Sequence, residues 1–181
     1  MAEKCKAFKR RLTPFEINEI RLVFGDKLDY ARVWIHECNN FPNIVDNIGR
    51  KLARRTPRDP KSNNALTLGN HIYFPIKFPE ERTQGSWLEC WLMHEVTHVW
   101  QFQQMGWKYL YMAIRAQMKL GNLAYHFGGE PELKSRRKSG KIFKDFNLEQ
   151  QGDIVKDYYK LLSKGKDVSA FEPYIEDIQK G

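Results

Sequence analysis

Two histidines and a glutamate in this 181-residue chain stand at a spacing that can hold a metal ion and use it. Residues 94–98 read His-Glu-Val-Thr-His. Because positions i and i+4 share one face of a helix, His94 and His98 can both reach one ion, and neutral imidazole nitrogen suits Zn²⁺. Glu95 lies about 100° further round the helix. That position argues against Glu95 as a ligand and favours it as the general base that faces a water on the ion.

The stretch around the motif predicts a packed, apolar helix. An unligated histidine pair and a glutamate would be costly to bury there, which favours zinc over two core histidines without a ligand. The core face beside the histidines is marked by Leu88, Leu92, Val96 and Val99.

A catalytic zinc takes three protein ligands plus water, so a third ligand must come from elsewhere. The extended motif His-Glu-x-x-His-x-x-Gly-x-x-His is absent, because Gln101 and Gln104 stand where Gly and His would be. Glu149 and Asp153 are four residues apart and share a helical face. We predict Glu149 as the third ligand and Asp153 as the acceptor for the free ring N–H of a zinc histidine. Three alternatives for the third ligand lie in a Gly/Pro-containing segment: His126, Glu130 and Glu132.

His-Glu-x-x-His followed on a later helix by Glu-x-x-x-Asp resembles the gluzincin group of zinc metallopeptidases. The resemblance implies the same assignment, with His94, His98 and Glu149 as ligands, Glu95 as base and Asp153 as support. Two departures from the thermolysin-like pattern Asn-Glu-x-x-Ser-Asp are Leu148 and Gly152.

The wider context is similar to small bacterial metallopeptidases encoded beside type VI secretion and contractile-injection components. The matching stretches are GNHIYF, LMHEVTHVWQ and FNLEQQGDIVKDYY, within residues 12–160. The resemblance implies a peptide or protein substrate and an association with secretion-system components. It also implies an edge strand ahead of the zinc helix, matched by residues 71–74, which either pairs with a peptide backbone or is an ordinary sheet edge.

Other residues near the motif have weaker interpretations. Tyr125 or His126 could donate to the oxyanion of the reaction, or simply pack. Cys90 is interpreted as a buried thiol. Four tryptophans around the zinc helix are interpreted as core: Trp87, Trp91, Trp100 and Trp107.

The elements that must position these residues predict an α+β fold. It is zincin-like, with a small, mostly antiparallel sheet, an active-site helix and further C-terminal helices. A Gly-Asn pair at 69–70 predicts a hairpin between two short strands. Residues 121–144, with Gly121, Gly128-Gly129, Pro131 and a basic run, are expected to form a long loop. Helices are expected over about 14–24, 84–104, 109–120 and 147–162 and after residue 169, and a strand over 30–36.

Composition predicts one domain over residues 1–181, with a basic tail over about 1–12. Hydrophobic residues make up 41% of the chain, and its formal net charge is +8. We interpret the basic clusters as solvated loops and tails, and we expect no nucleic-acid binding, because no fold signature for it is present. The clusters lie at 4–11, 51–61 and 134–144.

The N-terminal residues carry no apolar segment of the signal-peptide type. We therefore expect a cytoplasmic protein as synthesised, exported only by a signal-independent route. No apolar stretch approaches the roughly 20 residues of a membrane span. Three widely spaced cysteines predict reduced thiols rather than a disulfide framework.

The function expected from these observations is a zinc-dependent metallopeptidase that hydrolyses peptide bonds with a zinc-activated water and Glu95 as general base. One alternative is a non-catalytic zincin scaffold that binds an acidic partner through its basic clusters. Another is an amidase acting on peptidoglycan peptides. An open fourth coordination position lined by a cleft would separate the enzyme from the binding module.

Overall fold

A computed structural model describes residues 5–44, 64–108 and 126–181. Their fold is α+β, as the sequence predicts. The strands are β1 Phe8–Arg10, β2 Trp34–Glu37, β3 Leu66–Leu68 and β4 His71–Tyr73. The helices are α1 Pro14–Phe24, α2 Trp87–Met105, α3 Gly129–Lys138, α4 Leu148–Leu162 and α5 Glu172–Lys180. Short 3₁₀ segments are Tyr30–Arg32 and Phe143–Asp145.

The sheet is small and mixed, with two antiparallel pairings and one parallel pairing, and its strand order is β1-β2-β4-β3. β1 pairs antiparallel with β2, β2 pairs parallel with β4, and β4 pairs antiparallel with β3 across the expected turn. Gly69 in that turn has φ +65°, a conformation that favours glycine. The hairpin inserts with β4 against β2, so β4 is internal. The expectation that residues 71–74 form the edge is therefore wrong, and among the described strands β3 lies at the edge beyond the hairpin.

The metal-motif helix α2 lies in the middle of the molecule. The inward residues of the sheet, Ile35 and Ile72, are fully buried, as are Leu92 and Met93 of α2. α4 packs along α2 from the other side and buries Ile154. This arrangement leaves the histidine face of α2 against α4 and the Glu95 side against β3.

Residues 129–138 form a helix where the sequence analysis expected a loop. Pro131 lies in the first turn, where its missing N–H is tolerated. Glu130 and Glu132 lie near the N-terminus, whereas Arg137 and Lys138 lie in the last turn, as the helix dipole favours. The Gly and Pro residues mark the start of this helix rather than a long loop.

The tryptophans do not all belong to the core. Trp100 is 3% exposed, but Trp87 and Trp107 are 65% and 61% exposed. Trp87 is the first residue of α2, and Trp107 follows the C-cap Gly106. The core interpretation is therefore wrong for these two residues.

Cys5 and Cys38 are joined in a disulfide, with their Cα atoms 5.6 Å apart. The expectation of three reduced thiols is wrong for this pair. Cys5 precedes β1 and Cys38 follows β2, so the pairing of these two antiparallel strands brings the cysteines together despite their separation in sequence. Cys90 is a free, buried thiol, as expected.

Three expectations fall outside the described residues: the helix over 109–120, the position of Tyr125 and the solvated basic cluster at 51–61. Within the described ranges, no helix is both long and apolar enough to cross a membrane.

Candidate metal centre

His94 and His98 lie one turn apart near the middle of α2. The helix begins after Ser86, whose side chain accepts a hydrogen bond from the backbone N–H of Glu89. Both rings are buried, at 8% and 7% exposure. They face the first two turns of α4, which begins after the N-cap Asn147. The two helices therefore carry all the residues of the candidate site that could hold a metal.

Three ligand-type atoms meet between α2 and α4. His94 Nε2 lies 3.2 Å from His98 Nε2, and Glu149 Oε2 lies 3.4 Å and 3.6 Å from these two nitrogens. A tetrahedral ion with bonds of about 2.0–2.1 Å requires ligand atoms about 3.3–3.4 Å apart. The triangle of Nε2, Nε2 and Oε2 therefore fits a zinc ion. In the described residues, these three form the only such cluster of potential ligands.

The other nitrogen of His94 is fixed by α4. Asp153 Oδ1 lies 3.1 Å from His94 Nδ1, and Lys156 Nζ donates to the same oxygen. A carboxylate flanked by a lysine can only accept, so His94 Nδ1 carries the hydrogen. The neutral ring then presents a bare Nε2 to the centre of the triangle.

A chain of two glutamines fixes the other ring in the same way. Gln151 Nε2 donates to the carbonyl of Phe146, and Gln151 Oε1 accepts from Gln101 Nε2 at 2.9 Å. Gln101 Nε2 also donates to the carbonyl of Leu148, so its Oε1 is the atom that lies 2.8 Å from His98 Nδ1. His98 Nδ1 must therefore donate, and His98 Nε2 also faces the triangle bare.

This arrangement favours a positive charge at the centre of the triangle. Burial lowers the pKa of His94, but hydrogen bonds to Asp153 and Glu149 outweigh it and raise the pKa to about 10. Burial also lowers the pKa of His98, and the charge of Glu149 more than reverses this. The imidazoles hold the pKa of Glu149 far below its ordinary value despite its burial. Without a metal ion a proton supplies the charge, and a metal ion would displace it.

Glu95 is held by strand β3, on the side of α2 next to the histidine face. Thr67 of β3 donates from Oγ1 to Glu95 Oε2 at 2.8 Å, and the same hydroxyl lies 3.1 Å from the Glu95 carbonyl. Both residues are buried, and the charge of Glu95 acts on both histidines. The structure thus places Glu95 beside the cluster and gives its carboxylate a defined orientation.

Gly152 allows α4 to approach the ring of His94. A Cβ at this position would lie 2.7 Å from His94 Cε1 and 2.8 Å from Nδ1. No side chain can therefore occupy position 152 without moving the ring. The departure from the thermolysin-like pattern at this residue has a steric reason in this chain.

The alternative third ligands lie away from the triangle. His126 is exposed, and its carbonyl accepts a hydrogen bond from Gln150. Glu132 pairs with Arg136 on α3 at 2.7 Å. Neither these residues nor Glu130 joins the ligand cluster of the described chain.

Sequence reasoning missed four residues that support the site: Thr67, Gln101, Gln151 and Lys156. A signal was present for two of them. Thr67 is the polar, inward-facing residue of an otherwise apolar strand, and Gln101 follows His98 by three positions on an apolar helix. The partnership of Gln101 with Gln151 depends on how two distant helices pack, which no local pattern shows.

Two helices thus define a candidate centre of two imidazoles and one carboxylate. Comparison with known proteins adds a partial homology. The chain is similar to the type VI secretion system spike protein VgrG2b of Pseudomonas aeruginosa, with 32% identity over 156 residues. The similarity covers 83% of this chain and only 13% of that protein. No protein-family model and no solved structure matches the chain.

Proposed function

We propose that this chain is a zinc-dependent metallopeptidase of the gluzincin type. The carrying observation is the triangle of His94, His98 and Glu149, whose spacing suits tetrahedral zinc and whose two imidazoles are oriented with Nε2 inward. Three protein ligands leave a fourth position for a water or substrate, which is the pattern of catalytic rather than structural zinc. A bound ion would polarise the scissile carbonyl and lower the pKa of a water.

In this proposal, the residues of the chain move the proton and hold the substrate. Glu95 accepts the proton of the attacking water and passes it to the leaving amine. Thr67 keeps the Glu95 carboxylate in place through its 2.8 Å hydrogen bond. An extended peptide can add to the edge of β3, whose central residue is Thr67, and would then run past the general base.

The similarity to a secretion spike protein supports a further part of the proposal. We infer that the chain acts together with type VI secretion components, since 83% of it is similar to a small part of such a spike protein. The same similarity favours a second candidate function, a non-catalytic module of a secreted assembly. Both candidates predict the fold and the metal cluster, so activity must separate them.

The separating experiment is the substitution Glu95→Gln. Glutamine is nearly isosteric and can still accept the hydrogen bond from Thr67, but it cannot accept the proton of the water. We expect bound zinc and fold to be unchanged, and peptide hydrolysis to fall by about 10²–10⁴-fold. Hydrolysis of a mixed peptide library is measured by mass spectrometry for both proteins. A zinc-loaded wild type that cleaves nothing, or a variant that cleaves equally well, would contradict the peptidase proposal.

A further inference from the structure

A cavity of about 320 Å³ lies between α3 and the start of α5, separate from the metal centre. Its size is at the lower end of the roughly 300–1,000 Å³ of small-ligand sites. α3 contributes three basic side chains, and the segment that leads into α5 contributes a hydroxyl and an apolar floor. The lining residues are Lys134, Arg137, Lys138, Ser169, Ala170 and Pro173.

Two of the cations are available to a ligand. Lys134 and Lys138 are exposed, lie one helical turn apart, and make no ion pair within the described part of the chain. Arg137 is already engaged, because it donates two hydrogen bonds to Asp177 at 2.7 Å and 3.0 Å. Asp167 interacts with the charge of Lys134 but already accepts from the backbone N–H of Ser169. The rim therefore keeps an excess of positive charge.

The floor of the cavity restricts the class of ligand. Ala170 is 4% exposed, and Pro173 has no N–H to offer. An apolar floor under two ammonium groups suits a carboxylate carried on an apolar body better than a hydrated inorganic ion. The guanidinium, which would bind phosphate with two parallel hydrogen bonds, is occupied by Asp177. None of the described residues that line the cavity is aromatic, so they offer no surface on which a nucleic-acid base could stack.

We propose that this cavity is a docking site for an acidic peptide segment of a partner protein. A glutamate or aspartate side chain of the segment would lie between Lys134 and Lys138, with a neighbouring apolar side chain on Ala170 and Pro173. The site is independent of the proposed peptidase activity. It gives a definite location to the third basic cluster, which the sequence analysis interpreted as solvated.

The test uses a fluorescent peptide that alternates Glu and Leu, with a Gln and Leu peptide for comparison. Anisotropy is measured at low salt in the Glu95→Gln background, so that hydrolysis cannot consume the probe. The double variant Lys134→Gln/Lys138→Gln should weaken binding of the Glu peptide by about tenfold or more. The matched control Lys77→Gln/Lys160→Gln removes the same charge from two exposed lysines elsewhere and should change affinity by less than about threefold.

A second variant tests the cavity without changing charge. Ser169→Tyr places a large side chain at an exposed lining position and should abolish binding of the Glu peptide. The proposal is overturned if the Glu95→Gln protein with its lysines intact binds neither peptide or both equally, or if the two double lysine variants lose the same affinity. It is also overturned if Ser169→Tyr binds normally, or if single-stranded DNA binds more tightly than the Glu peptide and responds to the same variants.

Discussion

Hydrogen-bond direction decides what the two histidines of the site can do. Asp153 and Gln101 each offer an oxygen to one Nδ1 atom, so both Nε2 atoms are free of hydrogen in the neutral rings. The partners of metal-bound histidines typically affect metal affinity or activity by about 10–100-fold. Contacts from two helices, including a pair of glutamines, thus orient both rings. Metal binding is a physical reason for this orientation, because it leaves both Nε2 atoms facing the third ligand.

Substitution of Thr67 gives the sharpest test of a single residue, because Thr67 contacts Glu95 and is not itself a candidate metal ligand. Thr67→Val keeps the shape of the side chain and removes the 2.8 Å hydrogen bond to the carboxylate. A hydrogen bond to a charged group contributes about 1.5 kcal/mol, so kcat/KM for peptide hydrolysis should fall by about tenfold. Zinc content should not change.

Thr97→Val is the matched control for that substitution. Thr97 is also buried and lies within the motif, but among the described residues its hydroxyl donates to the carbonyl of Met93 alone. We expect its kcat/KM to stay within about twofold of the wild type, because no group of the site loses a partner. Equal losses in both variants would mean that Thr67 acts through packing rather than through Glu95.

At the scale of elements, the candidate site depends on the close approach of α2 and α4. Gly152 faces the ring of His94, and the helix on which it lies also carries Glu149 and Asp153. The helix α4 therefore determines how closely it approaches α2. It also supplies the third candidate ligand and the carboxylate that orients the His94 ring.

The substitution Gly152→Ala has two opposing effects. It raises the helix propensity of α4, and it places a side chain where α4 lies closest to the His94 ring. Alanine favours a helix by about 1 kcal/mol over glycine, so propensity alone predicts a more stable protein. The new Cβ would lie 2.7 Å from the His94 ring, so the ring or the helix must move. We expect weaker zinc binding and no gain in the unfolding midpoint, measured by chelator competition and thermal denaturation. A variant with a higher midpoint and unchanged zinc affinity would show that the contact is not tight.

The elements also show where sequence reasoning succeeds. The helix α1 begins at Thr13-Pro14 with a capping box to Glu16, and the hairpin turn lies at Gly69, because both depend on neighbouring residues. The strand order does not depend on neighbouring residues, because the parallel pairing of β2 with β4 joins segments that are far apart in the sequence. The helix α3 differs from the expected loop because its Gly and Pro residues, which often indicate a loop, occupy positions that a helix start tolerates.

The candidate site divides in the same way. His94, Glu95 and His98 could be chosen from local spacing, and Glu149 with Asp153 from a second local spacing supported by resemblance. The contact of Glu95 with Thr67 joins α2 to β3, and the contact of Gln101 with Gln151 joins α2 to α4, so these partnerships depend on the tertiary structure.

At the scale of the whole molecule, a buried ionic network ties the N-terminal segment to the metal-motif helix. Glu16 of α1 pairs with Arg10 at 2.7 Å and with Arg82 at 2.8 Å. The two arginines continue to Glu37 of β2 and Glu89 of α2, each at 2.6 Å. Glu16 is fully buried, so the loss of its charge would leave two arginines without their shared partner.

This network predicts the acid sensitivity of the fold. Burial raises the pKa of Glu16, but hydrogen bonds and charge from Arg10 and Arg82 outweigh it and leave the pKa below its ordinary value of 4.5. A lowered folded-state pKa adds stability above the unfolded value, and that stability is lost as the pH falls below it. The free energy of unfolding, measured in urea, should decrease from about pH 5 downward.

Glu16→Gln provides the comparison for that measurement. The variant should be less stable at pH 7 by about 3 kcal/mol, since one partner of a buried ionic group is removed. Its stability should fall less steeply than that of the wild type below pH 5, because this carboxylate no longer titrates. Parallel pH curves for the two proteins would assign the acid sensitivity to other groups.

The most direct test of the proposed zinc centre is the zinc affinity of the wild type and three variants. Native mass spectrometry gives the metal content of each protein, and chelator competition then gives its affinity. The wild type should hold about one zinc per chain, and Asp153→Ala should hold it about 10–100-fold more weakly. Glu149→Ala should lose most of the affinity, and His126→Ala should match the wild type. A folded wild type without metal, or a Glu149→Ala variant that binds zinc as tightly as the wild type, would contradict a centre built from His94, His98 and Glu149.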